Sequence, residues 1–276
     1  MNQSFKLEDL GQPILVASHP RSGTHLTMDT LRRQFTACAA WKWPGERLDR
    51  LYLPLEGLTV SEKEMSWCIA QRILGRSPRP LLKTHAYPAL AHLKADFPKL
   101  HQWIQDTAQT IYVVRDGRSV LCSRHLFMQS YNPETRCSIS EFLRQEVNGK
   151  SRVRAWATHV QTWMAQPDVT VLQFEQVIQQ PRQTLADLGE KLSLSPRFVE
   201  PLLPRSPHNI WQGRWARLTQ WHPESTAIIG YYGGQKTRKW RDILSEGDRY
   251  FFHQEAGELL LKLGYISSDA WVTDQS

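Results

Sequence analysis

Ser18-His19-Pro20-Arg21-Ser22-Gly23-Thr24 follows the apolar run Ile14-Leu15-Val16-Ala17 and precedes Leu26, Met28 and Leu31 at helical spacing, so it occupies a strand-to-helix turn. Such a turn is an anion site. Loop N–H groups point inward, the helix adds the positive end of its dipole, and Gly23 lets the backbone come close to a phosphate. Arg21, Ser22 and Thr24 add side-chain donors. Two further strand ends carry reactive groups. Leu81-Leu82 runs into Lys83-Thr84-His85, a cation beside an imidazole that titrates near neutral pH and can take a proton from a hydroxyl or amine. Thr110-Ile111-Tyr112-Val113-Val114 ends at Arg115, and Ser123 follows on the next helical run. A guanidinium binds phosphate oxygens in pairs and keeps its charge.

The spacing of the first turn separates it from the phosphate loop of nucleotide kinases. That loop reads G-x-x-x-x-G-K-[ST], with Lys on the terminal phosphates and the hydroxyl on magnesium. Here Ser18 stands at the first glycine position and Thr24 follows Gly23 directly, so the cation, Arg21, sits inside the loop. A small-molecule kinase and a non-catalytic nucleotide or nucleic-acid binder stay as alternatives. The missing Lys after Gly23 speaks against the first, and the Lys-Thr-His strand end against the second. Strand-like runs at 13–18, 80–84, 110–115 and 169–174 alternate with helical stretches, which predicts parallel strands with helices on both faces. The motif loops then lie at the carboxyl ends of strands, where such sheets bind ligands. A chain of 276 residues with no repeat, low-complexity tract or linker reads as one domain, long enough to bury a full sheet core.

Taken in order, these segments resemble the sulfotransferases that use 3′-phosphoadenosine 5′-phosphosulfate (PAPS). The loop fits their P-[KR]-S-G-T pattern, which holds the 5′-phosphosulfate. The Lys83-Thr84-His85 strand end is similar to the one whose His is the catalytic base, with Lys83 and Arg21 cationic beside the leaving phosphate. Arg115 and Ser123 match the pair that holds the ribose 3′-phosphate; a structural network of Arg115 with Asp116 or Asp29 is the alternative. Arg118 and Arg124 are expected to be solvated. Trp163 followed by Val169-Thr170-Val171-Leu172-Gln173-Phe174-Glu175 and Pro181 resembles the block in which the strand-end aromatic, here Phe174, lines the adenine pocket; core packing accounts for Phe174 equally well. The resemblance implies an α/β, P-loop-like three-layer fold, a central parallel sheet flanked by helices, as a single domain over 1–276. It implies PAPS as cosubstrate, 3′-phosphoadenosine 5′-phosphate (PAP) as product, and no metal.

The chain also departs from the family pattern. His25-Leu26 stands where many relatives place a Trp on adenine, so adenine stacking must come from elsewhere, while His25 is counted among the cofactor-binding residues of the loop. The C-terminal R-K-G-x-x-G-D-W-[KR] signature is half present as Gly233-Gly234-Gln235-Lys236-Thr237-Arg238-Lys239-Trp240-Arg241. Lys236 and Arg238 are the substitutes for the lost Arg-Lys grip, or else solvated loop cations, and Trp240 is the anchor that closes the segment on the nucleotide.

The net charge of +7 suits a polyanionic cosubstrate, while the even spread of basic residues speaks against nucleic acid. Cys38, Cys68, Cys122 and Cys137 show no metal-ligand spacing, and no signal peptide or apolar run near ~20 residues is seen, which predicts a soluble, reduced, cytoplasmic protein without membrane insertion. Oligomeric state is left open. Trp41, Trp43, Trp211, Trp215 and Trp221 fall in two Pro-containing stretches, 37–60 and 201–223, where relatives carry variable insertions. They either wall an acceptor site, for which aromatic faces suit a ring, a sugar or a guanidinium, or pack under long loops. The likeness to short bacterial-type members implies a small-molecule acceptor, a natural product or glycolipid sulfated on a hydroxyl or amine.

Overall fold

The computed structural model describes residues 6–39, 51–58, 63–199 and 239–273. In chain order these hold β1 (Ile14–Ser18), α1 (Thr24–Gln34), β2 (Leu53–Pro54), α2 (Lys63–Leu74), β3 (Leu81–Thr84), α3 (Ala91–Asp96), α4 (Pro98–Thr107), β4 (Gln109–Val114), α5 (Gly117–Met128), α6 (Ile139–Arg144), β5 (Glu146–Val147), β6 (Lys150–Ser151), α7 (Arg152–Met164), β7 (Val169–Gln173), α8 (Phe174–Gln179), α9 (Pro181–Lys191) and α10 (Glu246–Lys262). Five strands make one sheet in the order β2-β3-β1-β4-β7. β1 lies parallel to both β3 and β4, and β2 parallel to β3. Every residue of β1 is buried, as its uninterrupted apolar run requires of a strand covered on both faces. The register sets Ala17 beside Thr84 and Ser18 beside Val113, so three strands end together.

The strands agree with the runs expected from sequence to within a residue at each end. Two elements were not expected. β2 is two residues long and contains Pro54, too short for any periodicity. The β5–β6 hairpin turns on Asn148 and Gly149, both at positive φ (54° and 74°), the geometry Asn-Gly favours in a two-residue hairpin.

Within the described residues the chain divides into two compact units. The first holds the sheet. Its core joins Ile14 and Val16 of β1, Ile111 and Val113 of β4, Met28 and Leu31 of α1, and Leu185 and Leu188 of α9, the named apolar pair on each helix being three residues apart, as on one helix face. The second unit comprises residues 19–22, 114–166 and the chain from 239 on. There the fully buried ring of Trp156 on α7 lies 6.0 Å from that of Phe252 on α10. A Cβ on Gly117 would stand 2.6 Å from the Trp156 ring, so only glycine lets α5 begin this close to α7.

Candidate active site

In the first unit the sheet delivers two functional ends. Ser18 closes β1 and Thr24 opens α1, and their hydroxyl oxygens meet at 2.5 Å. Gly23 is the residue before α1, at φ 100°, and supplies no side-chain cap. The first-turn N–H groups of a helix have no intrahelical partner, and in general such a start can serve an anion. Phe174, the first residue of α8, packs on the same turn. A Cβ on Gly23 would come within 2.2 Å of the Phe174 ring.

Gly23→Ala therefore combines an unfavourable backbone conformation with a clash. We expect a loss of about 1–3 kcal/mol in stability from the backbone strain alone, seen as a lower Tm. Adding Phe174→Ala should return only part of it, because the smaller side chain relieves the clash and leaves φ unchanged. Equal Tm for Gly23→Ala and wild type would contradict the close packing of the turn.

The second end is His85, directly after β3. Its Nδ1 donates to the Ser18 backbone oxygen at 2.7 Å. That bond fixes the proton on Nδ1, so in the neutral ring the lone pair is on Nε2, the nitrogen able to accept a proton. Glu56, in the short turn Leu55–Gly57, meets the same strand end. Its Oε1 accepts from the Thr84 hydroxyl at 2.7 Å, from the Ala86 N–H at 3.2 Å and from the His85 N–H. Burial alone would raise the Glu56 carboxyl, but the Thr84 hydroxyl, the His85 N–H and the charge of His85 outweigh it and hold it below the ordinary carboxylate range. Lys83 is half-buried one residue before Thr84. His25 does not lie in an open face: its Nδ1 is 3.0 Å from the hydroxyl of buried Tyr52, with the rings edge to face at 6.0 Å.

The second unit holds a cationic cluster. Arg21 takes a left-handed backbone at φ 75°. Its Nε donates to Ser123 Oγ at 3.1 Å, and its guanidinium lies 4.8 Å from the centre of the Phe127 ring. Arg115 Nη1 donates to the Arg21 carbonyl at 3.2 Å. Arg115 and Ser123, assigned from sequence to the opposite end of a nucleotide from Arg21, thus both touch Arg21. Ser22 is buried, and its N–H closes the turn onto the His19 carbonyl at 3.2 Å. Asp29, in the first unit, pairs with Arg32 and Arg33, and Asp116 with Arg118.

Two expectations are corrected. Arg118 is buried, not solvated. It forks onto Asp116, donates to the Tyr265 carbonyl, and lies 4.0 Å from the Trp240 ring and 4.6 Å from that of Trp271. Arg124 is half-buried, with Nη1 3.3 Å from Nε2 of buried His19. Burial, then the nearby charge of Arg152, disfavours its charged form. Helical position alone did not reveal either, because the aromatic and histidine partners come from distant parts of the chain. Trp240 is buried over Arg118, while Lys236 and Arg238 lie outside the described residues. The five Trp residues noted at 41, 43, 211, 215 and 221 lie outside them as well. Glu56 and Tyr52 were missed from sequence, and His19, although inside the 18–24 turn, was given no role there. Neither Glu56 nor Tyr52 belongs to a spaced motif, and only the fold brings each to its partner.

The sulfotransferase domain model matches residues 12–206. The chain belongs to the sulfotransferase family. The matched span contains the 18–24 turn, Lys83-Thr84-His85, Arg115, Ser123 and Phe174, and stops before Lys236, Arg238 and Trp240. Two solved structures share the fold. Mouse sulfotransferase SULT7A1, complexed with PAP, aligns with a TM-score of 0.54 at 16% identity over 92% of this chain and 87% of its own. Retinol dehydratase, in complex with androsterone and PAP, aligns with a TM-score of 0.51 at 17% identity over 90% of this chain and 80% of its own. No curated protein matches the sequence of this sulfotransferase. Among its described residues no helix is long and apolar enough to cross a membrane, and no group of His, Cys, Asp and Glu could hold a metal ion.

Proposed function

We propose that the chain, acting as one sulfotransferase domain, moves the sulfuryl group of PAPS to a hydroxyl or amine of a small molecule. The observation that carries this reading is His85, whose Nδ1 bond to the Ser18 carbonyl leaves Nε2 as the proton-accepting nitrogen. The donors present suit the nucleotide. The uncapped start of α1 and the Thr24 hydroxyl fit a 5′-phosphosulfate, and Arg115 with Ser123 fits a 3′-phosphate. PAPS supplies the activated sulfuryl group and leaves as PAP.

His85 Nε2 takes the proton from the acceptor oxygen or nitrogen as it attacks sulfur. Lys83 and Arg21, with the loop N–H groups, stabilise negative charge on the departing phosphate oxygen. Arg115 and Ser123 hold the 3′-phosphate. Phe174 and His25 belong to the nucleotide side of the first unit, and Lys236, Arg238 and Trp240 are its C-terminal contacts in this reading. Retinol dehydratase, solved with androsterone, supports a small-molecule acceptor. The four cysteines are unpaired thiols, in keeping with a reducing cytoplasm, and nucleic acid is not part of the proposal.

Calorimetry tests the reading before any acceptor is known. PAP should bind without magnesium and at least tenfold more tightly than ADP, the difference that one charge-assisted hydrogen bond of roughly 1.5 kcal/mol supplies. Equal affinity for ADP, or binding of ATP that requires magnesium, would replace the sulfotransferase reaction with a kinase.

A further inference from the structure

Glu56 has a place at the reaction centre that no spaced motif announces. One oxygen, Oε1, receives the Thr84 hydroxyl, the His85 N–H and the Ala86 N–H, and the Thr84 hydroxyl in turn accepts from the Ala86 N–H at 3.0 Å. These bonds fix the backbone on both sides of the His85 Cα. A ring projected from a fixed backbone reaches the Ser18 carbonyl at 2.7 Å in one orientation. The sheet neighbours of β3 supply no competing charge: β1 reads Ile-Leu-Val-Ala-Ser and β2 Leu-Pro. Among the described residues of the first unit, Lys83 on β3 and Tyr87 two residues beyond His85 are titratable groups of the same strand end, and His25 and Tyr52 are bonded to each other at 3.0 Å.

We propose that Glu56 is the positioning residue of His85: its carboxylate pins the Thr84–Ala86 strand end so that Nδ1 stays on the Ser18 carbonyl, and its negative charge favours the imidazolium that forms when Nε2 accepts a proton. The arrangement deepens the sulfotransferase reading and rests on it for its catalytic meaning. Orientation of a base by a third group is the usual logic of an activated imidazole; here the orienting carboxylate acts through the backbone of the base, while the ring nitrogen itself bonds a carbonyl. The carboxyl is held ionised at neutral pH, since the Thr84 hydroxyl, the His85 N–H and the His85 charge more than offset its burial.

The test uses nitrogen NMR of the His85 ring in the intact protein, its signal assigned by its loss in His85→Asn. Wild type should show the Nδ1–H tautomer in the neutral ring. Glu56→Gln keeps an acceptor oxygen and removes the charge, so the tautomer should persist while the pH midpoint of His85 falls. Glu56→Ala removes all three bonds and should mix the tautomers. PAP affinity should stay within about threefold in both, because the phosphate-binding groups are untouched. Once an acceptor is identified, Glu56→Gln should move the acidic limb of the kcat profile to lower pH, in step with the NMR midpoint.

Should Glu56→Ala fail to fold, the Gln variant still decides the matter. A His85 midpoint that stays unchanged in Glu56→Gln, or a tautomer that changes there, in a protein that binds PAP, would overturn the role given to Glu56 and leave the sulfotransferase reading intact. A wild type that fails to bind PAP, together with a His85 midpoint that moves in Glu56→Gln, would overturn the reaction and keep the Glu56–His85 coupling.

Discussion

Replacing His85 with Ala should lower turnover by about 10²–10⁴-fold, the range expected when a general base is removed, while PAP binds nearly as in wild type. The split follows from what the ring touches. Its Nδ1 is committed to the Ser18 carbonyl, so the ring is held against β1 and its other nitrogen carries the basic lone pair. The anion donors are elsewhere: the uncapped start of α1 in the first unit, and Arg115 and Ser123 in the second. Loss of the base alone therefore affects kcat and leaves nucleotide affinity in place. His85→Asn is the informative companion. Its amide nitrogen can still donate to the Ser18 carbonyl, so the strand end stays ordered, yet it accepts no proton near neutral pH. Both variants should be slow to a similar degree. Steady-state rates with a verified acceptor, set beside PAP calorimetry, make the comparison; turnover within threefold of wild type in both would remove His85 from the reaction.

The parts of this site that could be read from sequence are those in which short-range chemistry and fold coincide. β1 and β4 are apolar runs because parallel strands are buried on both faces, and each leads into a motif loop. The 18–24 turn is legible because Gly23 and its neighbours must meet a local backbone demand, here φ 100°. β2 gave no signal, since two residues including Pro54 have no period. Glu56 gave none either: it is separated from His85 by 29 positions, and an isolated acid in a turn is ordinarily a solvated one. The misreading of Arg118 has the same origin. A polar residue in the first turn of α5 looks exposed until Trp240 and Trp271, far along the chain, cover it. The contact of Arg21 with Ser123 spans 102 positions, and sequence had assigned the two to opposite ends of one nucleotide.

That contact shapes the second large expected effect. Arg115→Ala should weaken PAP binding by roughly 10–150-fold, the equivalent of about 1.5–3 kcal/mol for hydrogen bonds to a charged group. It should leave the 3′-dephosphorylated nucleotide almost unaffected. Arg115 does more than carry charge, because its Nη1 also holds the Arg21 carbonyl where the backbone stands at φ 75°. Removing it frees that strained residue, so some of the loss is expected to come from a loosened turn. Arg115→Lys separates the two contributions. The ammonium keeps the charge but lacks the planar fork that can serve a carbonyl and a phosphate together. Its affinity for PAP should fall between wild type and Arg115→Ala. Ser123→Ala removes the partner of Arg21 Nε and one hydroxyl donor, and a smaller loss of roughly 0.5–1.5 kcal/mol is expected. A double Arg115→Ala, Ser123→Ala variant should lose less than the sum, since both side chains act on Arg21 and through it on each other. Calorimetry with PAP and with its 3′-dephosphorylated analogue decides the question: if Arg115→Ala weakens the two equally, the guanidinium serves the fold of the turn and does not hold the 3′-phosphate.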